Sequence, residues 1–160
     1  MVKARLIAKA LKNPLCRLLL AVPIVATAAI AATPSDYIAS RQAGYKQIAK
    51  ANKAITDELR GGSPSMPTIA ANAQILTRYA DKIHSWFPRG SGPESAIKTA
   101  ALPAIWTNPN GFRQSSQSFS VSSKRLLAAA SKNNLPAVKA AAAQVGETCR
   151  SCHQSFRGRS

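Results

Sequence analysis

Two cysteines and a histidine near the carboxyl end of the chain have a spacing that suits covalent chemistry. Cys149 and Cys152 are three residues apart, and His153 follows directly. On a helix, positions i and i+3 lie on one face, so both thiols can reach a single group. Thiols at this CxxCH spacing add to the two vinyl groups of haem as thioethers, while the adjoining imidazole binds the iron. The motif therefore predicts covalent haem attachment, with His153 as the metal ligand.

Three other uses of the cysteine pair are weaker. A zinc site would need a fourth ligand beyond the two thiolates and His153, and the chain past residue 31 offers only the distant His84 or a carboxylate. A redox pair of the thioredoxin kind prefers a helix N-terminus in a βαβ unit, whereas this pair lies late in a helical segment. A disulfide across CxxC would close a very short loop and stabilise little. Haem attachment is the favoured interpretation.

Helical periodicity places the motif in the last of four amphipathic segments. In residues 135–156, apolar residues and both cysteines recur in steps of three and four, which predicts that the cysteines lie in a buried seam. Residues 41–59, 69–87 and 110–130 show the same period. Mostly short connections favour an all-α, antiparallel four-helix bundle. Its alanine-rich core would be filled by a large planar cofactor, bound near the C-terminal helix.

Turn and cap residues set the expected helix boundaries. The Gly61-Gly62 pair ends the first segment, Ser65 supplies an N-cap for the second, and the third ends near Asn133. The connection 88–109 is long and rich in proline and glycine. A loop of this length in a compact domain is usually functional or disordered.

The first 31 residues are typical of an export signal. A basic stretch without acidic residues precedes an apolar run, and Ala29-Ile30-Ala31 matches the small-x-small pattern of signal peptidase sites. The apolar run is about fifteen residues long, shorter than the roughly twenty that a transmembrane helix needs. We expect cleavage after Ala31 or Ala32, a mature bundle domain over 32–160 and a periplasmic location.

The chain is strongly basic. It has 22 lysines and arginines against six acidic residues, a net charge of +16, and removal of the five basic residues of the signal segment leaves +11. No basic run alternates with aromatic residues as a nucleic-acid stacking platform would. We expect a solvated cationic surface, with attraction of an acidic redox partner or an anionic membrane as the functional alternative. The few carboxylates and histidines offer no acid–base pair beyond a haem, so we do not expect an enzyme.

The sequence resembles the class II c-type cytochromes, and most closely the cytochrome c′ family. The resemblance rests on a CxxCH motif close to the C-terminus, continued as CRSCHQSFR, and extends over residues 35–160. The other matching features are the Arg41-Gln42-Ala43-Gly44-Tyr45 opening, the Ile105-Trp106 pair with Phe112 beyond it, and Val145-Gly146. The resemblance implies one covalently bound haem c.

The resemblance also implies roles for residues around that haem. His153 would be the proximal iron ligand, Arg157 would lie near the proximal haem face, and Arg41 would reach a haem propionate. Tyr45 would look out on the distal face of the iron, where low-spin relatives that shuttle electrons have a methionine. A neutral phenol, with an ordinary pKa of about 10, is a poor iron ligand, so we expect mainly five-coordinate haem.

Two functions stay open at this point: binding of small gases such as nitric oxide or carbon monoxide, and electron transfer. A low-spin electron shuttle with Met66 or His84 as the sixth ligand is the alternative. Tyr45 could also be an ordinary core aromatic residue, and Arg41 could extend its head group to water. Because the family often forms dimers through its first helix, the resemblance also suggests a homodimer.

Overall fold

The computed structural model describes residues 32–158, so the expected signal segment 1–31 lies outside the described residues. Within them the chain forms helices and no β-strand. The helices are α1 (Pro34–Arg60), α2 (Met66–Ala80), the single turn α3 (Ala104–Thr107), α4 (Pro109–Ser131) and α5 (Leu135–Phe156). None of them combines the length and apolar character that crossing a membrane requires.

The four long helices form the predicted antiparallel bundle. α2 packs against both α1 and α4, and α4 packs against α5. α1 and α5 contact each other much less than these three pairs do. The all-α prediction is therefore confirmed, and the loosely packed side of the bundle lies between its first and last helices.

Each long helix begins with the same local pattern, a polar N-cap followed by proline in the first turn. The side chain of every cap accepts a hydrogen bond from a backbone N–H of the first turn, which satisfies a donor that has no partner inside the helix. Proline suits this turn because its nitrogen has no hydrogen to satisfy. The caps are Thr33, Ser65, Asn108 and Asn134.

The predicted helix ends are largely correct. α1 stops at Gly61, α2 starts from Ser65, and α4 ends just before Asn133, which adopts a positive φ of 53°. The second apolar stripe does not continue as an α-helix to Phe87, however. α2 ends at Ala80, and Ile83–Trp86 form a 3-10 turn instead.

The core contains polar as well as aliphatic side chains. Its fully buried aliphatic residues include Ile55, Ile69, Leu76, Leu126, Val138 and Val145. Four serines of α4 and Thr148 of α5 are buried beside them. Several of these hydroxyls donate to carbonyls three or four residues earlier in their own helix, which allows burial without an unpaired polar atom.

Candidate functional site

The CxxCH motif lies in the last two turns of α5, on the side that meets the bundle. Cys149 and Cys152 are half-buried, free of disulfide bonds and packed against the core, while His153 is exposed. Of the expected seam, Val138, Val145 and Phe156 are buried, whereas the two cysteines are only partly buried and Thr148 is buried beside them. The thiols lie at the edge of the core, where a group placed between α5 and α1 could reach them.

Burial keeps both thiols protonated. It raises the pKa of Cys149, and it raises the pKa of Cys152 to about 11, with the neighbouring Cys149 adding to the effect. A reactive redox cysteine has a lowered pKa, so the environment does not suit a thioredoxin-like pair. Among residues 32–158, no three His, Cys, Asp or Glu side chains are grouped as a metal site would require. The raised pKa values of the two thiols therefore argue against the redox interpretation.

Tyr45 projects from α1 toward the same region. Its pKa is raised well above the ordinary value, first by burial and then by the two cysteines, while the positive charge of Arg41 opposes the shift. Tyr45 and both cysteines pack against the same hydrophobic core. The phenol stays neutral across the physiological pH range.

An aromatic cluster surrounds this position. Tyr45 meets Trp86 edge-on, with ring centroids 5.3 Å apart and planes at 79°. Phe87 contacts Phe112 at 4.9 Å, and Phe112 contacts Phe156 at 5.3 Å. The cluster joins α1, the turn after α2, α4 and the end of α5 into one apolar wall. A planar apolar group attached at Cys149 and Cys152 fits such surroundings.

Arg41 is a buried cation next to this wall, with 2% of its surface exposed. Its Nη1 donates to Ser91 Oγ at 3.1 Å, and its Nη2 donates to the Ser91 carbonyl at 2.7 Å and to Thr99 Oγ1 at 2.8 Å. The guanidinium also lies 4.7 Å from the centre of the Phe87 ring. Burial lowers its pKa. The head group does not extend to water, and its contact with a haem propionate stays a prediction.

His153 and Arg157 lie on successive turns at the end of α5. Partial desolvation lowers the pKa of His153, although much of its surface is exposed, and the positive charge of Arg157 lowers it further. The imidazole is therefore neutral near pH 7, which is the form that binds iron. Arg157 is exposed, and its backbone forms a bridge with Ala101 in the connection before α4.

The two alternative iron ligands differ in position. Met66 begins α2, whereas the opposite end of that helix contacts the aromatic cluster, through Tyr79 and Trp86 at 6.2 Å. The fifteen residues of α2 span roughly 20 Å. His84 lies in the 3-10 turn Ile83–Trp86, and its side chain is exposed.

Sequence reasoning missed the residues that hold Arg41 and Tyr45 in place. Ser91 and Thr99 belong to the connection 88–109, where no periodic pattern reveals a tertiary partner. Trp86 follows α2, and its contact with Tyr45 depends on how the 3-10 turn folds back. A buried arginine in an apolar stripe was the one available signal, since such a cation must find acceptors.

Known proteins resemble the chain over the described region. Residues 36–157 match the family model described as Cytochrome C'. A cytochrome c' from Alcaligenes xylosoxydans xylosoxydans is 30% identical over 127 residues, covering 79% of this chain and 96% of the relative. The crystal structure of cytochrome c' from Thermochromatium tepidum superposes with a TM-score of 0.75 at 28% identity, covering 80% of this chain and 98% of that one. A nitric oxide complex of a mutant cytochrome c prime from Alcaligenes xylosoxidans gives 0.71 at 28% identity, with the same coverage.

Proposed function

The chain belongs to the cytochrome c′ family, and we propose that it is a periplasmic haem protein that binds small gases such as nitric oxide, transfers electrons, or does both. Its cofactor is one covalently bound haem c. When bound, that haem supplies an iron that takes up a diatomic ligand or an electron. The protein's part is to hold it, to shape the space around it and to exclude other ligands.

Cys149 and Cys152 are the proposed attachment points, and His153 is the proposed iron ligand. The half-buried thiols share the inward side of α5, and the imidazole is neutral at physiological pH. Both features suit thioether formation and iron binding from one helix. Arg157, one turn beyond His153, is proposed to lie near the same haem face, where its charge helps to keep the imidazole deprotonated.

The neutral phenol of Tyr45 is the observation that carries the five-coordinate proposal. It packs against the same core as the two cysteines, and burial disfavours the phenolate that could bind iron. The surrounding rings supply no strong ligand, since tryptophan and phenylalanine side chains do not coordinate iron. A diatomic gas would therefore meet a crowded apolar space with no protein ligand to displace.

A low-spin electron shuttle is the competing function. It requires a sixth ligand, and the sequence suggested Met66 or His84. Met66 is the first residue of α2, whereas the other end of this helix contacts Trp86 through Tyr79. His84 is exposed. These positions favour the five-coordinate state, which still allows electron transfer.

Surface charge supports an acidic redox partner. Three carboxylates, Asp57, Asp81 and Glu147, already pair with basic residues. The other three accept backbone hydrogen bonds, Asp36 from Thr33, Glu58 from Ser65 and Glu94 from Gly92. Most cations of the described residues thus face solvent uncompensated, and attraction of a negative partner should fade with added salt.

An absorption spectrum of the purified ferrous protein, with and without carbon monoxide, tests the proposed function. We expect a broad high-spin spectrum that shifts on addition of the gas. A sharp, split α-band without a shift would contradict the five-coordinate proposal. Cys149→Ser and Cys152→Ser should each keep haem through a single thioether, whereas the double variant should lose it on acid precipitation, which mass spectrometry detects as absence of the haem mass.

The export proposal has a separate test. Cells that mature c-type cytochromes should release the protein with the periplasmic fraction. Sequencing of its amino end should read from Ala32 or Thr33, according to whether cleavage follows Ala31 or Ala32. Retention of Met1 in the haem-bearing protein would contradict it.

A further inference from the structure

The buried guanidinium of Arg41 donates its hydrogen bonds to the connection between α2 and α4. Among the described residues its hydrogen-bonding partners are neutral oxygens of Ser91 and Thr99, and Phe87 covers one face. Burying a cation is costly unless its donors are satisfied. These hydrogen bonds therefore hold α1 and the connection together at one point. Gln42 adds a neighbouring bond from its Nε2 to the Lys98 carbonyl at 3.2 Å.

The same connection continues to the end of α5. Thr99 Oγ1, which accepts from Arg41, also accepts from the Ala101 backbone N–H at 3.1 Å. Ala101 forms the isolated bridge with Arg157. Two backbone bonds flank that bridge: Leu102 N–H donates to the Phe156 carbonyl at 3.1 Å, and Gly158 N–H donates to the Ala100 carbonyl at 2.8 Å.

These contacts form one unbroken path from α1 to the residues just past His153. The last turn of a helix has carbonyls without partners inside the helix and opens easily unless something holds it. Here the Phe156 carbonyl receives the Leu102 N–H, so the connection supplies the missing partner. His153 lies within that last turn and moves with it.

We propose that Arg41 is a positioning residue for His153. It holds the segment 91–101, and this segment in turn pins the end of α5 that presents the imidazole. The functional side of this inference rests on the proposed role of His153 as the iron ligand. A haem propionate could share the guanidinium, but the positioning role does not require one.

A propionate contact and a positioning role for Arg41 predict that different substitutions will affect the haem. A direct propionate contact would involve Arg41 alone, so removing the Thr99 hydroxyl would leave the haem unaffected. A positioning role passes through Thr99, so Thr99→Val should act in the same direction as Arg41→Met. Thr107→Val is a matched control, because Thr107 is exposed and its hydroxyl donates only to the carbonyl of Pro103, the N-cap of α3.

Residue-resolved hydrogen exchange of the holoprotein provides the first measurement. In Thr99→Val and Arg41→Met, the amides of Leu102 and Gly158 should exchange about tenfold faster, as expected for loss of one hydrogen bond. Core amides such as that of Leu76 should be unaffected, and Thr107→Val should behave like the unaltered protein. Arg41→Lys should restore part of the protection. Should Arg41→Met fail to fold, Thr99→Val alone decides the matter, and unchanged exchange in that variant overturns the inference.

The iron–histidine stretching band in resonance Raman spectra of the ferrous protein provides the second measurement. It should broaden or shift in Thr99→Val and stay unchanged in Thr107→Val. A change in Arg41→Met without one in Thr99→Val would assign Arg41 to the propionate and overturn the positioning role. If the band persists in His153→Ala, the proposed function fails, while the exchange results still report on the path from Arg41.

Discussion

The indole of Trp86 lies directly against the backbone of α1 at Gly44. A Cβ atom at that glycine would stand only 2.7 Å from the indole Cζ2, closer than such atoms approach in folded proteins. The missing side chain is what lets Trp86 reach α1 and meet Tyr45 edge-on. A residue without a side chain thus shapes the space beside the phenol.

Gly44→Ala should destabilise the protein despite alanine's better helix propensity. Overpacking costs about 1–3 kcal/mol, and only about 1 kcal/mol returns from propensity. Gly146→Ala is the matched control, because nothing lies within 4 Å of a Cβ there. That variant should gain about 0.5–1 kcal/mol in the free energy of unfolding. Urea denaturation measures the free energy of unfolding of the Gly44→Ala and Gly146→Ala variants. Equal values for the two variants would contradict the packing argument.

Tyr45→Met should convert the haem toward the low-spin state. A thioether at this position can bind iron, whereas the buried neutral phenol does not. The absorption spectrum of the ferrous variant should gain a sharp α-band and respond less to carbon monoxide. Tyr45→Phe is the control, since it keeps the ring and removes only the hydroxyl. A high-spin spectrum for Tyr45→Met would mean that Tyr45 does not face the iron.

Asp81 should contribute stability that depends on pH. Hydrogen bonds from Ser120 and Lys124 lower its pKa below the value of 3.8 expected for a free side chain. A carboxylate with a lowered folded-state pKa stabilises the fold above its unfolded pKa, and this contribution disappears as the pH falls through the folded value. Because the side chain is about half exposed, Asp81→Asn should lose less than about 1 kcal/mol at pH 7.

Urea denaturation of the unaltered protein and of Asp81→Asn, at pH 7 and near pH 2, checks this prediction. The difference between them should be smaller at the lower pH, because the contribution of the carboxylate is lost as it becomes protonated. A deficit of Asp81→Asn that stays constant with pH would point to lost packing rather than to the charge.

Ser122 and Thr148 should be only weakly coupled across the α4–α5 contact. Their hydroxyl oxygens lie 3.3 Å apart, yet the two hydroxyls also have the Phe119 and Val145 carbonyls as acceptors, at 3.0 and 2.8 Å. A hydroxyl has a single hydrogen, so when both donate within their own helices none remains for the contact between helices. A double-mutant cycle with Ser122→Ala and Thr148→Val should give a coupling energy below about 0.5 kcal/mol. A value above about 1 kcal/mol would show that the bond between the helices prevails.

The helices could be predicted because their signals are local. Ser65 caps α2 through an N–H three residues away, and Gly61 ends α1 regardless of what packs against it. The apolar period of α5 likewise indicates which side meets the bundle. Even so, the buried serines of α4 were missed, because a serine counts as polar until its hydroxyl is seen to bond to its own helix.

The site could be predicted only in part, for a related reason. The CxxCH motif indicates haem attachment from five consecutive residues. By contrast, the partners of Arg41 lie 50 and 58 residues after it in the chain. Nothing in the composition of the connection 88–109 tells which of its hydroxyls will meet the guanidinium. The expectation of a functional or disordered loop therefore gave no hint of its role as a link between α1 and α5.

The half-buried position of the two thiols favours one order of events during maturation. α5 is the last of the described helices to leave the ribosome, and once it docks, Cys149 and Cys152 are partly shielded and fully protonated. Under the proposed attachment, we expect the tetrapyrrole to be joined while this helix is still fully accessible to the assembly machinery. Docking of α5 then follows the attachment of the tetrapyrrole and closes the core around it.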